Sequence, residues 1–353
     1  MIGKWHAGHA HEYMLPFNRG FDTFYGYLQG AEDHYSRLQC QGKNWCGVDF
    51  ATENGPTNET YGTYGTELYS LRAQQVLDSI KDEKKPFFLY YSMQNVHYPL
   101  QAPEHYKIKY NWIKDPARRN YAAMISIMDE AVGDLVKLLK FRNLWDDTLL
   151  IVTADNGGET RSGGNNFPLR SQKWSLYEGG VHVNSFINGG LVTRTGTKYS
   201  GLFHVSDWRE TILDAMECSY KAEKDVDGTS QWEAIQSNST PPRFSILHNI
   251  DPMKRAKGHD DRDWVNLAAA KLSFDINAQS ALRFGDWKIL TGDPAQGVPD
   301  GNIAPPEATQ TTSNKLKYEP EIDTQPYWVR DQEDNFYQPD ERKTRLVQLF
   351  HIS

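Results

Sequence analysis

The chain lacks long apolar runs, has few cysteines and has no excess of positive charge. No segment approaches the roughly 20 consecutive apolar residues of a membrane-spanning helix. No leader-like apolar stretch is visible either, because Met1 and Ile2 run directly into Gly3-Lys4-Trp5-His6. Lysine and arginine number 38 against 46 aspartates and glutamates, a formal net charge of -8. That balance excludes a protein that tracks nucleic-acid phosphates, which would be basic. Only three cysteines occur in 353 residues, with no Cys-x-x-Cys pair and no Cys/His cluster, so zinc is not indicated. Cys40 and Cys46 lie in a polar, glycine-containing loop. A small disulfide loop there suits an oxidising compartment, and two free thiols would satisfy the same sequence. Cys218, at the end of an expected helix, reads as a buried, unreactive thiol.

What is present is enough for a sizeable core: 39% hydrophobic and 12% aromatic residues in 353. That length accommodates one large α/β domain, or one large and one small. Residues 1–65 are loop-rich in glycine, tyrosine and asparagine. The spacing of Leu68, Leu71, Val76 and Ile80 predicts a helix over 66–83. Phe87 to Met93 reads as a buried strand, with His97 just past its carboxyl end. Residues 117–141 form the clearest helix, with Tyr121, Met124, Ile125, Met128, Val132, Leu135 and Leu139 at helical spacing. A strand at 148–154 and a glycine-rich loop at 157–180 follow, then a helix at 204–217. Strand, helix and strand in this order imply a parallel βαβ arrangement. Ala281 to Leu290 reads as two short strands around Gly285-Asp286, a smaller antiparallel unit. Residues 292–327 are rich in proline, threonine, asparagine and glycine and read as a long loop.

The most informative local feature is Thr153-Ala154-Asp155-Asn156-Gly157-Gly158, directly after the β-branched apolar run Leu149 to Val152. Such a run suits a strand covered on both faces. Asp155 and Asn156 would leave its carboxyl end, the edge where open α/β sheets bind ligands. A carboxylate and an amide oxygen side by side are hard donors suited to Ca²⁺ or Mg²⁺. Asp-Asn-Gly is also ordinary turn chemistry. Lys4 and His6 stand two apart, so on an extended segment both point to one side. A loop lysine and a packed histidine beside Trp5 would leave the same trace, and His97 and Lys173 taken singly are a strand-end histidine and a loop lysine. Asp22 and Asp33 read as turn or cap residues.

Several motifs in one order carry more weight. They are Gly3-Lys4-Trp5-His6-Ala7-Gly8, Arg19-Gly20-Phe21-Asp22 with Gly26-Tyr27, Asn95-Val96-His97-Tyr98-Pro99-Leu100, and Met128-Asp129-Glu130-Ala131-Val132-Gly133. Then come Pro168-Leu169-Arg170-Ser171-Gln172-Lys173-Trp174-Ser175-Leu176-Tyr177-Glu178-Gly179-Gly180 and Leu247-His248-Asn249-Ile250-Asp251-Pro252. Together they resemble the sulfatase family over nearly the whole chain, most closely its arylsulfatase B (N-acetylgalactosamine-4-sulfatase) branch. The resemblance implies an α/β, alkaline-phosphatase-like sandwich with a mostly parallel central sheet flanked by helices, and a smaller C-terminal antiparallel unit. It implies a catalytic domain over 1–270 and a partial C-terminal subdomain over 271–353.

The resemblance also implies roles. Lys4 contacts the nucleophile and the sulfate. His6 hydrogen-bonds the nucleophile and helps eliminate sulfate from it. His97 touches the sulfate and donates a proton to the leaving oxygen, and Lys173 binds the sulfate and that oxygen. Asp155 and Asn156 map onto half of a Ca²⁺ shell, and Glu178-Gly179-Gly180 serves architecture. The substrate implied is a sulfated carbohydrate of the N-acetylgalactosamine-4-sulfate type, as in glycosaminoglycans. These residue types suit sulfate-ester cleavage, since lysines hold a compact anion as point charges and histidine titrates near the working range. Relatives carry a cysteine pair in the stretch of Cys40 and Cys46, which favours the bridge. Two sequons, at Asn58 and Asn238, suit a glycoprotein, and lysosomal or secreted placement follows from the resemblance.

Departures from the family pattern are as definite. The family's nucleophile is a formylglycine made from the cysteine of Cys-x-Pro-x-Arg, and none of the three cysteines here stands in that motif. In the family that motif, a pair of metal-binding aspartates and the first sheet strand lie before the Gly-Lys-Trp-His segment. The expectation is therefore a fragment, incomplete at both ends and inactive by itself. Ala7 stands where relatives usually have leucine, and His182 where they usually have arginine. The alternative is a catalytically inactive sulfatase-like protein that binds sulfated glycans. A phosphoesterase of the wider superfamily ranks last, because its extra His/Asp cluster is not recognisable.

Overall fold

The computed structural model describes residues 1–41, 45–58, 61–80, 85–218, 225–255, 275–295, 298 and 347–352. These residues form two compact units. The first comprises Met1–Asp146 and Glu159–Gly164; the second comprises Asp147–Gly158 and the described residues from Asn165 onward.

The loop-rich start of the first unit contains more strand than its composition suggests. β1 (Ile2–Lys4), β2 (Tyr25–Tyr27), the hairpin β3 (Leu38–Gln41) and β4 (Trp45–Val48), and the short pair β5 (Ala51–Thr52) and β6 (Gly55–Pro56) precede helix α1 (Gly65–Ile80). β7 (Tyr91–Ser92), α2 (Glu104–Ile108) and α3 (Pro116–Phe141) complete it. The central sheet has the order β6-β5-β2-β1-β7. β1 runs parallel to both β2 and β7, and the pairings of β5 are antiparallel. The parallel crossover observed joins β1 to β7 by way of α1; it is not the one expected between strands at 87–93 and 148–154, the first of which pairs among the described residues with β1 alone. Ile2, Tyr27, Phe50, Tyr69 and Ala73 form the core on one face, where α1 packs.

The helices predicted over 66–83 and 117–141 both form, with shifts in the buried stripe. In α1 the buried positions are Thr66, Tyr69, Ala73 and Leu77, and Leu71 is 53% exposed. The face turned by one position because Tyr69 reaches in to donate its hydroxyl to Glu32 at 2.8 Å, and small Ala73 lets the helix approach the sheet. In α3 the buried positions are Ala123, Met124, Ile127, Ala131 and Leu139, so Met124 and Leu139 are as expected and Ile125 is exposed. Asp115 caps this helix by accepting from the Arg118 N–H at 2.8 Å, with Pro116 in the first turn, where its missing N–H costs no bond.

The strand expected over 87–93 is shorter and less buried than its apolar run predicts. Only Tyr91 and Ser92 pair, and Phe88 is 64% exposed. β7 is an edge, and among the described residues it pairs with β1 alone. Phe21 stacks on Phe88 and Tyr90 from one side, at 6.1 and 6.2 Å between ring centroids.

The second unit opens with β8 (Leu150–Thr153), followed by the one-turn helix α4 (Glu178–Val181), β9 (Ser185–Asn188), α5 (Asp207–Ala215) and α6 (Trp232–Ser237). β10 (Ser245–Arg255), β11 (Ala278–Phe284), β12 (Trp287–Thr291) and β13 (Val347–His351) form an antiparallel sheet in that order. The turn between β11 and β12 is at Gly285-Asp286, as the sequence indicates. β8 departs from expectation. It pairs antiparallel with β9, and Leu150, Ile151 and Val152 are only half-buried, so it is not a parallel strand covered on both faces. Continuous apolar runs do not encode strand direction, which long-range pairing decides.

A disulfide joins Cys40 and Cys46, directly opposed across β3 and β4. Cys218 is exposed rather than buried. α5 ends at Ala215, and Cys218 falls beyond its last turn. Asn58 and Asn238 are both exposed, Asn238 in a left-handed conformation closing α6. Most of the loop expected over 292–327 lies outside the described residues. No helix among those residues is long and apolar enough to cross a membrane.

Candidate active site

In the first unit, two adjacent parallel strands deliver the candidate groups to one sheet edge. β1 and β7 align Ile2 with Tyr91 and Gly3 with Ser92, so Lys4 ends β1 where the chain from β7 turns toward His97. Beyond Lys4 the chain stays along β2, with Trp5 N–H donating to Tyr27 O at 2.9 Å and His6 N–H to Leu28 O at 3.1 Å. His6 has a φ of 45° and is exposed, so the segment is not extended through His6. Simple alternation with Lys4 therefore does not by itself fix the direction of its ring.

His97 sits in a loop held by buried amides. Its N–H donates to Gln94 O at 3.0 Å, and its Nδ1 lies 2.8 Å from Tyr98 O. Asn95 accepts from Tyr64 Oη at 3.2 Å and Thr66 Oγ1 at 2.9 Å, and donates to Met124 O at 2.8 Å. Gln94 donates to Glu32 O at 2.9 Å. Gln101 accepts from His34 N–H at 2.8 Å and donates to Asp33 Oδ2 at 2.6 Å. Asp33 also accepts from the N–H groups of Tyr35 and Ser36, so it is the turn residue its sequence context indicates.

His34 completes this support. It is fully buried, its ring stacks on Tyr64 at 5.2 Å, and its Nε2 lies 3.3 Å from His97 O. Burial lowers its pKa to about 4, which keeps the ring neutral. The carbonyl partner assigns the proton to Nε2. Glu32 lies beneath, accepting from Tyr69 Oη, with Arg37 Nη1 3.7 Å away. Burial raises its carboxyl to about 8 against the opposing charge of Arg37.

The second unit gathers the other candidates around the end of β8. Ala154 N–H donates to Asn184 O at 3.1 Å, carrying the pairing to the mouth of the strand. Asp155 is exposed there, and half-buried Asn156 donates through Nδ2 to Gly157 O at 2.9 Å. The glycine-rich loop folds back on this turn. Gly157 N–H donates to Gly180 O at 2.9 Å, Gly179 N–H to Arg170 O at 2.7 Å, and Lys173 N–H to Gly158 O at 3.3 Å. Asn166 bonds both the N–H and the C=O of Gly158, each at 2.8 Å. The close approach requires glycine, because a Cβ on Gly157 would stand 1.8 Å from Gly179 O. Lys173 Nζ lies 5.5 Å from the centroid of the Trp174 ring.

Glu178 fixes the end of this loop to the antiparallel sheet. It accepts from Lys288 Nζ at 2.7 Å, with Arg283 at 3.7 Å and His182 Nδ1 at 3.3 Å. Burial opposes ionisation of Glu178, but the His182 hydrogen bond and the Lys288 and Arg283 charges outweigh it and take the carboxyl to about 2. Burial lowers the Lys288 pKa in turn, against the pull of Glu178. The architectural role expected of Glu178-Gly179-Gly180 thus has a defined partner set in which His182 is only one contributor.

Asp155 and Asn156 supply two oxygen donors, whereas calcium takes about six to eight. Among the described residues no group of three or more histidines, cysteines, aspartates or glutamates could hold a metal ion. The described residues do not make a calcium shell by themselves.

Sequence reasoning singled out Lys4, His6, His97, Asp155, Asn156 and Lys173, and missed His34, Asn95, Gln101 and Lys288. The missed residues act through long-range contacts, such as the 110-residue separation between Lys288 and Glu178, that leave no local spacing. A family model described as Sulfatase matches residues 1–218. Mouse arylsulfatase J is 38% identical over 310 residues, covering 87% of this chain and 50% of that protein. Human N-acetylgalactosamine-6-sulfatase is 29% identical over 191 residues, covering 51% of this chain and 35% of that protein. This chain therefore spans half or less of the length of these two relatives. Among solved structures, that of Ps i-CgsB in complex with k-i-k-neocarrahexaose is 28% identical with a TM-score of 0.67, covering 82% of this chain and 61% of that one. The PsFucS1 sulfatase from Pseudoalteromonas sp. shares the α/β fold at 22% identity, with a TM-score of 0.64, covering 86% of this chain and 62% of that one. With the motif order, the α/β architecture and these matches together, the chain belongs to the sulfatase family.

Proposed function

We propose that the protein's chemistry is hydrolysis of sulfate esters on N-acetylgalactosamine-type sugars, the 4-sulfate being the preferred substrate. The observation that carries this reading is that Lys4 ends β1, His6 stands two residues beyond it, and His97 follows the end of the adjacent parallel strand β7. A cation and two titratable rings at one sheet edge suit an anionic ester whose alcohol must leave protonated. On this reading Lys4 and Lys173 neutralise the sulfate oxygens, His97 protonates the leaving oxygen, and His6 moves a proton at the attacking oxygen. Calcium, with Asp155 and Asn156 among its ligands, would polarise the ester, and a formylglycine would supply the attacking oxygen. Both belong to the reading through the family resemblance. A glycoprotein of the lysosome or the secretory route, with Cys40–Cys46 bridged and Asn58 and Asn238 glycosylated, accords with it.

A second reading is a sulfatase-like protein that binds sulfated glycans without turnover. The test that separates them uses the complete reading frame of the native transcript, expressed with calcium, and measures sulfate release from N-acetylgalactosamine 4-sulfate and 6-sulfate. Turnover with a loss of about 100-fold or more in Lys4→Ala and His97→Ala supports the enzyme. Tight binding of the sulfated sugar with no release supports the second reading. Hydrolysis of a phosphate monoester in place of the sulfate would overturn both.

A further inference from the structure

The hairpin of β3 and β4 carries a feature that the sulfate chemistry does not use. Trp45, the first residue of β4, is 80% exposed. An indole held in water is costly, and the hairpin presenting it is pinned by the Cys40–Cys46 bridge directly across the ladder. Beside it lies an open cleft of about 370 Å³ lined by Gln29, Gln39, Trp45, Gly47, Val48 and Asp49. Among the described residues the lining holds one aromatic face, two amide side chains and one carboxylate.

The cleft is joined to the candidate catalytic histidine through the backbone. Both oxygens of Asp49 accept from the next segment, Oδ1 from Leu28 N–H at 3.1 Å and Oδ2 from Gln29 N–H at 2.8 Å. Leu28 O in turn accepts from His6 N–H at 3.1 Å. Gly30 packs flat on the His6 ring, where an added Cβ would stand 2.8 Å from Cε1. Residues 28–30 therefore run from the His6 ring to the wall of the cleft, and Asp49 fastens them to the base of the hairpin.

We infer that this cleft is a subsite for an uncharged pyranose ring of an oligosaccharide, next to the sulfated sugar engaged at His6. The inference deepens the function proposed above and rests on it. An indole face matches the apolar C–H face of a pyranose, and amides can exchange hydrogen bonds with its hydroxyls. The wall carries the Asp49 carboxylate, which repels a second sulfate, so the ring the cleft receives is neutral. Asp49, with both oxygens occupied by backbone N–H groups, positions the wall.

The test titrates the full 353-residue chain with two separate probes, an uncharged tetrasaccharide of N-acetylhexosamines (tetra-N-acetylchitotetraose) and inorganic sulfate, followed calorimetrically and by the ¹H–¹⁵N signals of the indole groups. Trp45→Ala is expected to weaken the neutral tetrasaccharide about tenfold, ~1.4 kcal/mol, and Trp45→Phe to restore most of it. Sulfate affinity should be unchanged by either variant, since Trp45 is not among the groups placed at the sulfate. Trp45 is mostly in water, so its replacement leaves the core intact, and Gln29→Ala gives an independent probe of the same cleft. Equal tetrasaccharide affinity in Trp45→Ala and the parent, or no tetrasaccharide binding at all, overturns the subsite. The sulfate arm judges the sulfatase reading separately: Trp45-dependent tetrasaccharide binding without any sulfate binding would keep the cleft and remove the anion site.

Discussion

The Nε2 atom of His34 lies 3.3 Å from the carbonyl oxygen of His97, across 63 residues of sequence. A neutral, buried ring thus holds the backbone of a candidate catalytic histidine. His34→Phe would keep the stack on Tyr64 and remove the donor, leaving a carbonyl unpaired. The expected cost is about 1–3 kcal/mol, read from urea or guanidinium melts. The pH dependence has a definite sign. Burial lowers the His34 pKa from 6.5 to about 4, so its contribution is present above 6.5 and is lost as pH falls toward 4. The variant should lose less stability than the parent across that window, and parallel curves would remove the assignment.

Glu178 and Lys288 form an ion pair at 2.7 Å in which Lys288 is 1% exposed. Glu178→Gln leaves a buried ammonium without its counter-charge, and about 3–5 kcal/mol of destabilisation is expected. Because the folded carboxyl is depressed from 4.5 to about 2, its contribution is present above pH 4.5 and lost as pH falls toward 2. Thermal melts of both proteins between pH 7 and 2 check this, and the two curves should converge at the acid end.

Gly157→Ala places a Cβ 1.8 Å from Gly179 O, a clash with backbone that no side-chain rotation relieves. The loop carrying Lys173 must shift from the Asp155–Asn156 turn. Hydrogen exchange should show faster exchange at the Gly157 and Gly179 amides, whose bonds close that loop. Unaltered protection at both would show that the loop tolerates the displacement.

The 353-residue chain, purified and verified by mass, is expected to release no sulfate from N-acetylgalactosamine 4-sulfate, because no cysteine in it lies in Cys-x-Pro-x-Arg. An ion-chromatographic assay over hours, with calcium present, measures this. Release above the buffer blank would mean that another group attacks sulfur.

The sequence by itself determined the family, the candidate residues and the long helix, because each rests on local order. Lys4-Trp5-His6, Asn95-Val96-His97 and Asp155-Asn156 are recognisable where they stand, and the periodicity of 117–141 needs no partner to be seen. The Gly285-Asp286 turn was legible for the same reason. Tertiary structure decided the rest. The direction of β8 depends on β9, a partner that an apolar run does not name. The buried stripe of α1 follows the hydroxyl of Tyr69 reaching Glu32, a contact 37 residues away. Phe88 stays exposed three residues before β7, because which part of the apolar run pairs is decided by its partner β1. His34 at His97, Lys288 at Glu178 and Asp49 at Leu28 and Gln29 are meetings of distant segments. Polar groups withdrawn from water must find partners wherever the fold brings them, and sequence spacing does not record those partners.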